Sequence, residues 1–467
     1  MDRRGFLKHL GLGAAALSLP RALRAAEPRR KRPNVLLIFT DDQGTLDAGC
    51  FGSTDLYTPH MDALARRGVR FTQAYTHTVC CPARAMLMTG RHPQRGNVNS
   101  WQQGNAKGPK GLNMFLSEVT LAEVLKGAGY RTALFGKWHL GAHFDHGPTR
   151  QGFDEFLGIR DGFIDNYNHF FLHGKGYHDL YRGTKEVFRK GEYFPDLVVD
   201  ETCRFLEANK DRPWFVYLAF NIPHYPEQAD AKFDERYKHL PMPRQSYAKI
   251  VSTTDDRMGR VLRKLDELGL RDDTLVVFMS DNGHSAERNH IRVDGHASGL
   301  PKGHQYGANG GGGNTGKWRG HKGTLFEGGI RVPAILSFPG RVPEGEVRDQ
   351  AVTAMDVLPT VCELCDVPLP KAKLDGRSLV PLLDDPKAPS PHTVLHWQWQ
   401  SNWAVREGDW KLIATGRGKR QNLFLGSLAD PQPERKNYAK EKPDLVKRLT
   451  ALHEAFVKDV TPKGDER

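Results

Sequence analysis

The sequence lacks long apolar runs, has few cysteines and contains no nucleotide-binding loop. No stretch of about 18 uninterrupted apolar residues occurs in the 467, which excludes a transmembrane helix in the mature chain. Six cysteines in a chain of this length are too few for a disulfide framework, so we expect free thiols. A G-x-x-x-x-G-K-[ST] string is also missing, which leaves a phosphate-binding loop unsupported.

The chain has fewer acidic than basic residues. The 67 Lys and Arg residues outnumber the 55 Asp and Glu residues, giving a formal charge of +12. A basic protein suits a polyanionic partner, and a sulfated glycan or a nucleic acid would both qualify. The chain has no zinc finger and no aromatic-basic RNA-binding string, so we expect no nucleic-acid partner.

The first 26 residues are typical of an export signal. Arg3 and Arg4 precede a weakly apolar run over 10–19, a pattern that indicates recognition by the twin-arginine (Tat) export machinery. We therefore expect folding before export, a periplasmic or extracellular location and no stable membrane insertion. Removing 1–26 takes away five basic residues and one acid, which lowers the formal charge from +12 to +8.

Acidic side chains follow two predicted buried strands. Continuous apolar runs at 35–39 and 274–279 predict the strands, which end in Asp41-Asp42 and Asp281-Asn282. Adjacent acids are often solvated loop residues, but at a buried strand end they would repel each other unless a cation lay between them. Oxygen ligands favour Ca²⁺, or Mg²⁺ as the less favoured ion, over zinc.

The stretch at residues 80–90 reads CCPARAMLMTG. Pro82 fits the first helical position and Gly90 fits the residue just past a helix end. Cys80 is therefore expected at a helix N-terminus, where a thiol would be acidified and reactive. A buried structural thiol is the alternative interpretation.

Basic and imidazole side chains follow other predicted strands. Lys137 and His139 come after a strand at 132–135, and alternation in an extended chain predicts that both point to one face. His224 follows a strand at 214–220. Lys322 follows a Gly- and His-rich loop at 285–320, and residues 143–178 are expected to form a long irregular excursion.

A Pro-rich stretch near residue 385 predicts a domain boundary. We expect a large domain over 30–385 and a C-terminal subdomain over 390–467. Short alternating runs at 394–400, 403–406 and 410–413 predict an antiparallel sheet, followed by a helix near 445–457. Its tryptophans are more typical of a sheet core than of a sugar platform, although both roles remain open.

Several of these strings resemble one known family. Residues 80–90 resemble the signature of the type I sulfatases, and residues 136–141, GKWHLG, closely match the second signature of that family. The strings RGHKG at 319–323 and EGGIRVP at 327–333 also fit its pattern, and PTRQGFD at 148–154 resembles arylsulfatase B-type enzymes. One departure is His60, which stands where the family usually has asparagine.

The resemblance implies a mechanism. In this family a maturation enzyme, the formylglycine-generating enzyme, oxidises the first cysteine, here Cys80. The hydrate of the resulting aldehyde, held by Arg84 and a metal at Asp41, Asp42, Cys80, Asp281 and Asn282, attacks sulfur. Lys137 and Lys322 would neutralise the sulfate oxygens. His224, helped by Lys322, would protonate the leaving oxygen, and His139 would take the proton of the second hydroxyl.

The resemblance also implies a fold. We expect an α/β, alkaline-phosphatase-like domain with a mixed, mostly parallel sheet between helices, plus a small C-terminal antiparallel sheet packed with a helix. The expected substrate is a sulfated glycan or an aryl sulfate ester. Two other functions stay open: a phosphoester or phosphonate hydrolase of the same superfamily, and a non-catalytic glycan-binding protein with unmodified Cys80.

Overall fold

A computed structural model describes residues 32–102, 111–307, 311–462 and 464. The predicted export signal at 1–26 lies outside these residues and stays a prediction, as do the domain limits. In the part of the chain that the structure describes, no helix combines the length and apolar character needed to cross a bilayer. All six cysteines fall within it and are free thiols.

A large mixed sheet forms the centre of the molecule. Eleven strands take part among the described residues, in the spatial order β12-β2-β11-β10-β1-β9-β3-β4-β7-β8, with β13 also paired to β2. The bounds are β1 (Asn34–Asp41), β2 (Val69–Tyr75), β3 (Arg131–Lys137), β4 (Glu155–Ile159), β7 (Tyr181–Arg182), β8 (Lys185–Glu186), β9 (Trp214–Pro223), β10 (Thr274–Ser280), β11 (Arg331–Ser337), β12 (Glu346–Arg348) and β13 (Val352–Thr353). The five central strands β10, β1, β9, β3 and β4 are parallel, so their carboxyl ends share one edge.

Helices cover both faces of this sheet. Their bounds are α1 (Pro59–Arg66), α2 (Cys80–Thr89), α3 (Leu121–Gly127), α4 (Phe194–Ala208), α5 (Asp234–Tyr237), α6 (Arg244–Glu267), α7 (Glu327–Ile330), α8 (Val357–Leu364), α9 (Val380–Asp384) and α10 (Pro443–Val460). Alternate residues of β1 serve two cores. Leu37 packs in the cluster with α2, α3 and α8, whereas Ile38 packs in the cluster with α1, α4 and α6. This confirms the predicted arrangement of a sheet between helices.

The C-terminal part forms a second sheet, as expected. It is antiparallel and consists of β14 (Val394–Trp399), β15 (Asn402–Glu407), β16 (Trp410–Thr415) and β17 (Asn422–Ser427), with α10 packed against it. The fourth strand was not predicted. Trp397 and Trp403 are buried in the cores of this sheet, whereas Trp399 at the end of β14 is only half-buried.

One predicted irregular region contains a strand of the central sheet. Residues 143–178 were expected to be loop, but β4 pairs in parallel with β3. Gly158 permits this, because a Cβ there would lie 1.8 Å from the carbonyl oxygen of Gly136. The rest of the region holds two short 3-10 helices, at Phe144–His146 and Pro148–Arg150, and a two-residue pair, β5 (Phe170–Phe171) with β6 (Tyr177–His178). The expectation of a wholly irregular excursion was therefore wrong.

Candidate active site

The carboxyl end of β1 carries two buried acids. Asp41 is the last residue of the strand, and Asp42 has a φ of 64°, in the left-handed region that aspartate tolerates better than most residues. Strand β10 ends beside it in parallel register, which brings Asp281 and Asn282 to the same place. The backbone N–H of Asp42 donates to Oδ1 of Asp281 at 3.1 Å. The two predicted acidic turns therefore meet at one edge of the sheet.

Helix α2 presents Cys80 and Arg84 to these acids. The helix begins at Cys80 itself, with Val79 as the N-cap residue, so Pro82 is the third helical residue rather than the first. Gly90 ends the helix with a φ of 66°, as predicted. The Cys80 thiol donates to Oδ1 of Asp41, with an Sγ–O distance of 3.4 Å.

The unmodified Cys80 thiol is not acidified. Burial, followed by the negative charge of Asp41, raises its pKa well above the ordinary value. The helix N-terminus and the nearby lysines favour the thiolate, but they do not offset the loss of hydration. The expectation of an acidic, reactive thiol was therefore wrong for this chain before any modification.

Three cations surround the acids. Nη2 of Arg84 lies 2.9 Å from Oδ2 of Asp281 and 3.4 Å from Oδ2 of Asp41. Nζ of Lys137 donates to the same Asp41 oxygen at 2.5 Å. Nζ of Lys322 donates to Oδ2 of Asp42 at 2.9 Å. Every acid of the cluster thus contacts at least one cation.

The three carboxylates differ in how far neighbouring positive charges offset the cost of burying their negative charge. Burial opposes ionisation of Asp41, but the positive charges led by Lys137 hold its pKa below the ordinary value. Burial raises the pKa of Asp42 to about 6 in spite of Lys322, and the charge of Asp41 adds to the rise. Burial and then Asp41 raise the pKa of Asp281 to about 7. A further positive charge would relieve this repulsion.

The donor set suits a hard divalent cation. Ligand atoms of Asp41, Asp42, Cys80 and His224 all lie within 4.8 Å of one another, and all four residues are buried. The amide nitrogen of Asn282 donates to Asp42 at 2.7 Å, while its buried Oδ1 has no hydrogen-bond partner among the described residues. A buried carbonyl oxygen without a partner is costly unless a ligand contacts it. These observations fit the predicted Ca²⁺ or Mg²⁺.

Asp281 differs from the other predicted metal ligands. Its Oδ2 accepts from Arg84, and its Oδ1 accepts from the backbone of Asp42. His224 instead belongs to the group whose ligand atoms converge. The ligand set predicted from the sequence is therefore gathered at one place, and the assignment of each ligand stays a prediction.

His139 faces the site for a different reason from the one predicted. Its φ is 56°, so the chain is not extended there and strand alternation does not apply. Nonetheless Lys137 and His139 line the same pocket. In the part of the chain that the structure describes, neither ring nitrogen of His139 has a hydrogen-bond partner, and Nε2 lies 3.8 Å from Oδ1 of Asp161. Burial and the charge of Lys137 lower its pKa well below the ordinary value, so the ring is neutral.

His224 is oriented by its neighbour. Its Nδ1–H donates to the carbonyl oxygen of Tyr225 at 2.6 Å, so Nε2 is the free nitrogen. Nε2 lies 3.7 Å from Oδ2 of Asp42. Burial and then the positive charge of Lys322 lower the pKa of His224 to about 3. The neutral ring therefore presents an unprotonated nitrogen to the site.

The floor of a cavity of about 260 Å³ is formed by five of these residues, Cys80, Lys137, His139, His224 and Lys322. Its walls include residues that the sequence analysis did not single out: Trp101, Asp161, Phe163, His173, Glu287 and Trp399. Most of them lie in loops, and Trp399 belongs to the C-terminal sheet. No local pattern marks such residues, because only long-range packing brings them to the cavity.

The structure gathers all of the predicted site residues around this floor. They are Asp41, Asp42, Cys80, Arg84, Lys137, His139, His224, Asp281, Asn282 and Lys322. All are buried except Lys322, whose side chain is 10% exposed. Six separate elements and loops contribute them, so the cluster depends on the complete sheet.

Comparisons with known proteins agree with this geometry. The profile of the Sulfatase family matches residues 33–367, and that of the N-sulphoglucosamine sulphohydrolase C-terminal region matches residues 316–458. Steryl-sulfatase of Mus musculus is 34% identical over 449 residues, covering 79% of this chain and 68% of the relative. Arylsulfatase A of Homo sapiens is 32% identical over 443 residues, covering 89% and 81%.

A solved structure shares the architecture over nearly the whole chain. The crystal structure of Ps i-CgsB in complex with k-i-k-neocarrahexaose superposes with a TM-score of 0.78 at 27% identity. The superposition covers 93% of this chain and 95% of the other. The likeness therefore includes both the large sheet with its site and the C-terminal sheet.

Proposed function

The chain belongs to the sulfatase family, and we propose that this sulfuric ester hydrolase removes sulfate from a sulfated carbohydrate. The proposal includes conversion of Cys80 to formylglycine and a bound Ca²⁺. The observation that carries it is the position of Cys80: its Sγ lies 3.4 Å from Asp41, inside a buried cluster of carboxylates and cations. A sulfate monoester needs this combination of a nucleophile with positive charge around the sulfuryl oxygens.

The cations of the chain bind and orient the ester. Lys137 and Arg84 are fully buried, where charge interactions are stronger than in water. Their ion pairs with Asp41 fix the two side chains before any substrate arrives. Lys322 reaches the floor from the opposite loop and remains charged, because Asp42 offsets the effect of burial on its pKa.

The two histidines take the proton steps in this proposal. His224 holds its free Nε2 toward the floor, beside Lys322, where the leaving oxygen of the ester would lie. A bound sulfate ester brings negative charge, which favours protonation of that nitrogen. His139 has both nitrogens free to exchange a proton with the modified residue 80.

A metal ion and a modified residue complete the proposed site. Asp41, Asp42, Asp281, Asn282 and residue 80 would hold Ca²⁺, which supplies positive charge for the ester oxygens when it is bound. Formylglycine supplies, as its hydrate, an oxygen nucleophile in place of the thiol. Asp281 orients Arg84 and the backbone of Asp42 around them.

A carbohydrate substrate is supported by the relatives and by the cavity. The superposable Ps i-CgsB structure holds an oligosaccharide, and the matching C-terminal profile takes its name from a sulphohydrolase of a sulfated amino sugar. The cavity walls combine aromatic rings with carboxylates, a combination that suits the apolar faces and hydroxyl groups of sugars. The identity to steryl-sulfatase favours aryl or steryl sulfates as the second candidate.

The experiment begins with peptide mass spectrometry across residues 78–84. The protein is produced with a formylglycine-generating enzyme, and sulfate release is then measured from a panel of monosulfated sugars and from 4-nitrophenyl sulfate. We expect the aldehyde or its hydrate at position 80 and turnover of a sugar sulfate. Cys80→Ala should abolish release, while Cys203→Ala, on α4 away from the cavity, is the matched control.

The alternatives predict different results. A phosphoester or phosphonate hydrolase would cleave 4-nitrophenyl phosphate or a phosphonate ester faster than 4-nitrophenyl sulfate. A glycan-binding protein would keep an intact thiol at Cys80 and bind sulfated glycan without releasing sulfate. An aryl or steryl sulfatase would turn over only the non-sugar esters.

Export by the Tat route is part of the proposal. It is supported by Arg3 and Arg4 ahead of a weakly apolar run in the sequence. We expect the full-length chain to reach the periplasm or the medium, and the Arg3→Lys/Arg4→Lys double variant to remain in the cytoplasm. Cell fractionation with a Lys8→Arg control measures this, and equal export of both variants would contradict it.

A further inference from the structure

One wall of the active-site cavity carries a negative charge where an anionic substrate enters. Glu287 lines the cavity together with Lys322, and its Oε2 lies 3.8 Å from Nζ of that lysine. A carboxylate at this position repels any second sulfate group on the substrate. The catalytic steps assigned above do not use it, so its place in the cavity requires another explanation.

The Glu287 carboxylate is held in a hydrogen-bonded array. The Tyr225 hydroxyl hydrogen-bonds Glu287, and Nδ2 of Asn289 donates to that hydroxyl at 3.2 Å. The hydroxyl of Ser285 donates to Oε2 of Glu287 at 3.2 Å and also accepts from its backbone N–H. Tyr225 is itself buried. The array leaves the side chain of Glu287 47% exposed and directed along the cavity wall.

Such a carboxylate is a strong acceptor for neutral hydroxyl groups. An ionised oxygen forms shorter and stronger hydrogen bonds with O–H donors than a neutral acceptor does. Glu287 is fixed beside Lys322, the residue assigned to the sulfate ester and its leaving oxygen. A hydroxyl on the ring carbon next to the ester would therefore lie within reach of this carboxylate.

An aromatic ring also lines the cavity. Trp399, from the last position of β14, lines the cavity, and its Cη2 lies 3.9 Å from where a Cβ on Gly323 would be. Gly323 follows Lys322 directly, and its N–H donates to the carbonyl of Thr78 at 2.8 Å. The ring therefore lies over the turn that carries the substrate lysine.

The hairpin that carries Trp399 is fixed to the large domain. The carbonyl oxygen of Gln398 accepts hydrogen bonds from Nε2 of His77 at 3.0 Å and from Nε2 of Gln94 at 2.7 Å. On the other side, the N–H of Gln400 donates to Oδ1 of Asn99 at 3.0 Å. The indole Nε1 of Trp399 is buried and has no hydrogen-bond partner among the described residues. The ring of Trp399 thus lines the cavity from a hairpin of the C-terminal sheet that is held by these hydrogen bonds.

From this geometry we propose that Glu287 and Trp399 select the sugar ring that bears the sulfate ester. Glu287 accepts a hydrogen bond from a free hydroxyl neighbouring the ester, and Trp399 packs against the face of the ring. The substrate class is therefore a carbohydrate sulfate whose neighbouring position is unsulfated. This inference rests on the proposed carbohydrate sulfatase activity and specifies the substrate within it.

The first test changes the charge of Glu287 without changing its shape. For Glu287→Gln we expect the ratio of kcat/KM on the best monosulfated sugar of the panel to that on 4-nitrophenyl sulfate to fall about tenfold, because a charge-assisted hydrogen bond is lost. Glu363→Gln, on an exposed position of α8, is the matched control and should keep the wild-type ratio.

The second measurement has a sign that a structural defect would not produce. Wild-type enzyme should discriminate against the same sugar carrying a second sulfate on the neighbouring carbon. In Glu287→Gln that discrimination should weaken about fivefold or more, since the repulsion between two anionic groups is removed. A misfolded site would lower both rates together and leave their ratio unchanged.

The third test addresses Trp399. Trp399→Ala should raise KM for the monosulfated sugar about three- to tenfold with a smaller change in kcat, and Trp399→Phe should restore most of the loss. Trp410→Ala, in the same sheet but outside the cavity, is the control. A fall in kcat without a rise in KM, unrelieved by phenylalanine, would show that Trp399 only supports the hairpin.

The failures of the two proposals are distinguishable. If wild-type protein with formylglycine at position 80 releases no sulfate from any sugar, the proposed function fails. If it desulfates sugars but Glu287→Gln keeps both the sugar-to-aryl ratio and the discrimination against a second sulfate, the present inference is overturned and the proposed function stands.

Discussion

Two buried clusters of charge in this molecule follow opposite designs. At the active site Asp41, Asp42 and Asp281 crowd together, and the pKa values of the last two are raised to about 6 and about 7. Between the large domain and the C-terminal sheet, Glu327 and Glu434 share the ammonium of Lys411 at 2.9 Å each. Both clusters are buried, but among the described residues only the first leaves an amide carbonyl oxygen, that of Asn282, without a hydrogen-bond partner.

The interface cluster is closed. Oε2 of Glu327 accepts from Arg331 at 2.8 Å and from the Tyr75 hydroxyl at 2.7 Å, and the backbone N–H of Glu327 donates to Glu434 at 2.8 Å. Burial opposes ionisation of Glu327, but Lys411 and Arg331 hold its pKa below the ordinary value. Burial raises the pKa of Glu434, whose Oε2 accepts from the backbone of Glu327 and whose Oε1 is held by the ion pair with Lys411. The cluster of paired charges connects the large sheet with the C-terminal sheet, whereas the cluster with an unpaired amide oxygen can bind a ligand.

The largest expected effect on stability is at the interface cluster. Lys411→Met leaves two buried carboxylates without their shared cation and should lower the free energy of unfolding by about 3–5 kcal/mol. Urea denaturation followed by fluorescence measures the loss. Lys436→Met, on an exposed lysine nearby, is the control, and equal losses in both variants would remove the distinction between the clusters.

The next effect concerns Ca²⁺ at the active-site cluster. In the native metal-free protein, Asp42 and Asp281 release their protons only near pH 6 and pH 7, well above the unfolded value of about 3.8. Ca²⁺ must displace these protons at pH 5 but not at pH 8, so its stabilisation should increase with pH. At 100 times its Kd, Ca²⁺ should add about 2.7 kcal/mol at pH 8.

Thermal unfolding with CaCl₂ or with EDTA at pH 5 and pH 8 measures this difference. The comparison of paired samples at each pH cancels the titration of buried groups elsewhere. An equal shift in Tm at both pH values would contradict a site in which Asp42 and Asp281 control binding.

A substitution of Asp281 should have a smaller effect on stability, and it should change stability and activity in opposite directions. Asp281→Asn removes one of three repelling carboxylates and should raise the free energy of unfolding of the metal-free protein by about 1 kcal/mol. The same change weakens the positioning of Arg84 and should lower sulfate release about 100-fold. Denaturation in EDTA and a 4-nitrophenyl sulfate assay measure the pair of effects. A variant that loses stability as well would place Asp281 among purely structural acids.

The smallest effect is expected for an exposed pair. Lys238 contacts Glu235 on the surface, with side chains 69% and 83% exposed. Glu235→Gln should change the free energy of unfolding by about 0.5 kcal/mol or less, because water screens the pair. Urea denaturation in low and high salt checks this. A larger change would mean that pairing rather than burial sets the energies of the two clusters.

The predictable part of the fold followed from local patterns. Continuous apolar runs located β1, β9 and β10 because a strand buried on both faces needs no alternation. Thr120 and Glu123 have the spacing of a capping box, which begins α3, and the structure contains both of its hydrogen bonds. β4 escaped detection because its five residues lie among polar loops, and its single glycine serves close packing rather than a turn.

The site was predictable where side chains follow strand ends. The carboxyl ends of neighbouring parallel strands lie at the same edge of a sheet. Asp41 and Asp281 could therefore be expected to lie close together from their positions in the sequence. The cavity walls could not be predicted in this way. Glu287 lies in a polar loop and Trp399 in the C-terminal sheet, and no spacing in the sequence connects either residue with Lys322.

The sequence alone determined the family, the buried strands and the side chains at their ends, since each depends on short-range pattern and motif. The tertiary structure decided which of those groups have hydrogen-bond partners and which do not. Asn282 has a free oxygen and Cys80 an un-acidified thiol because of burial by distant segments, a property that no local stretch carries. The same long-range packing placed Glu287 and Trp399 at the cavity, where we propose that they contact the substrate.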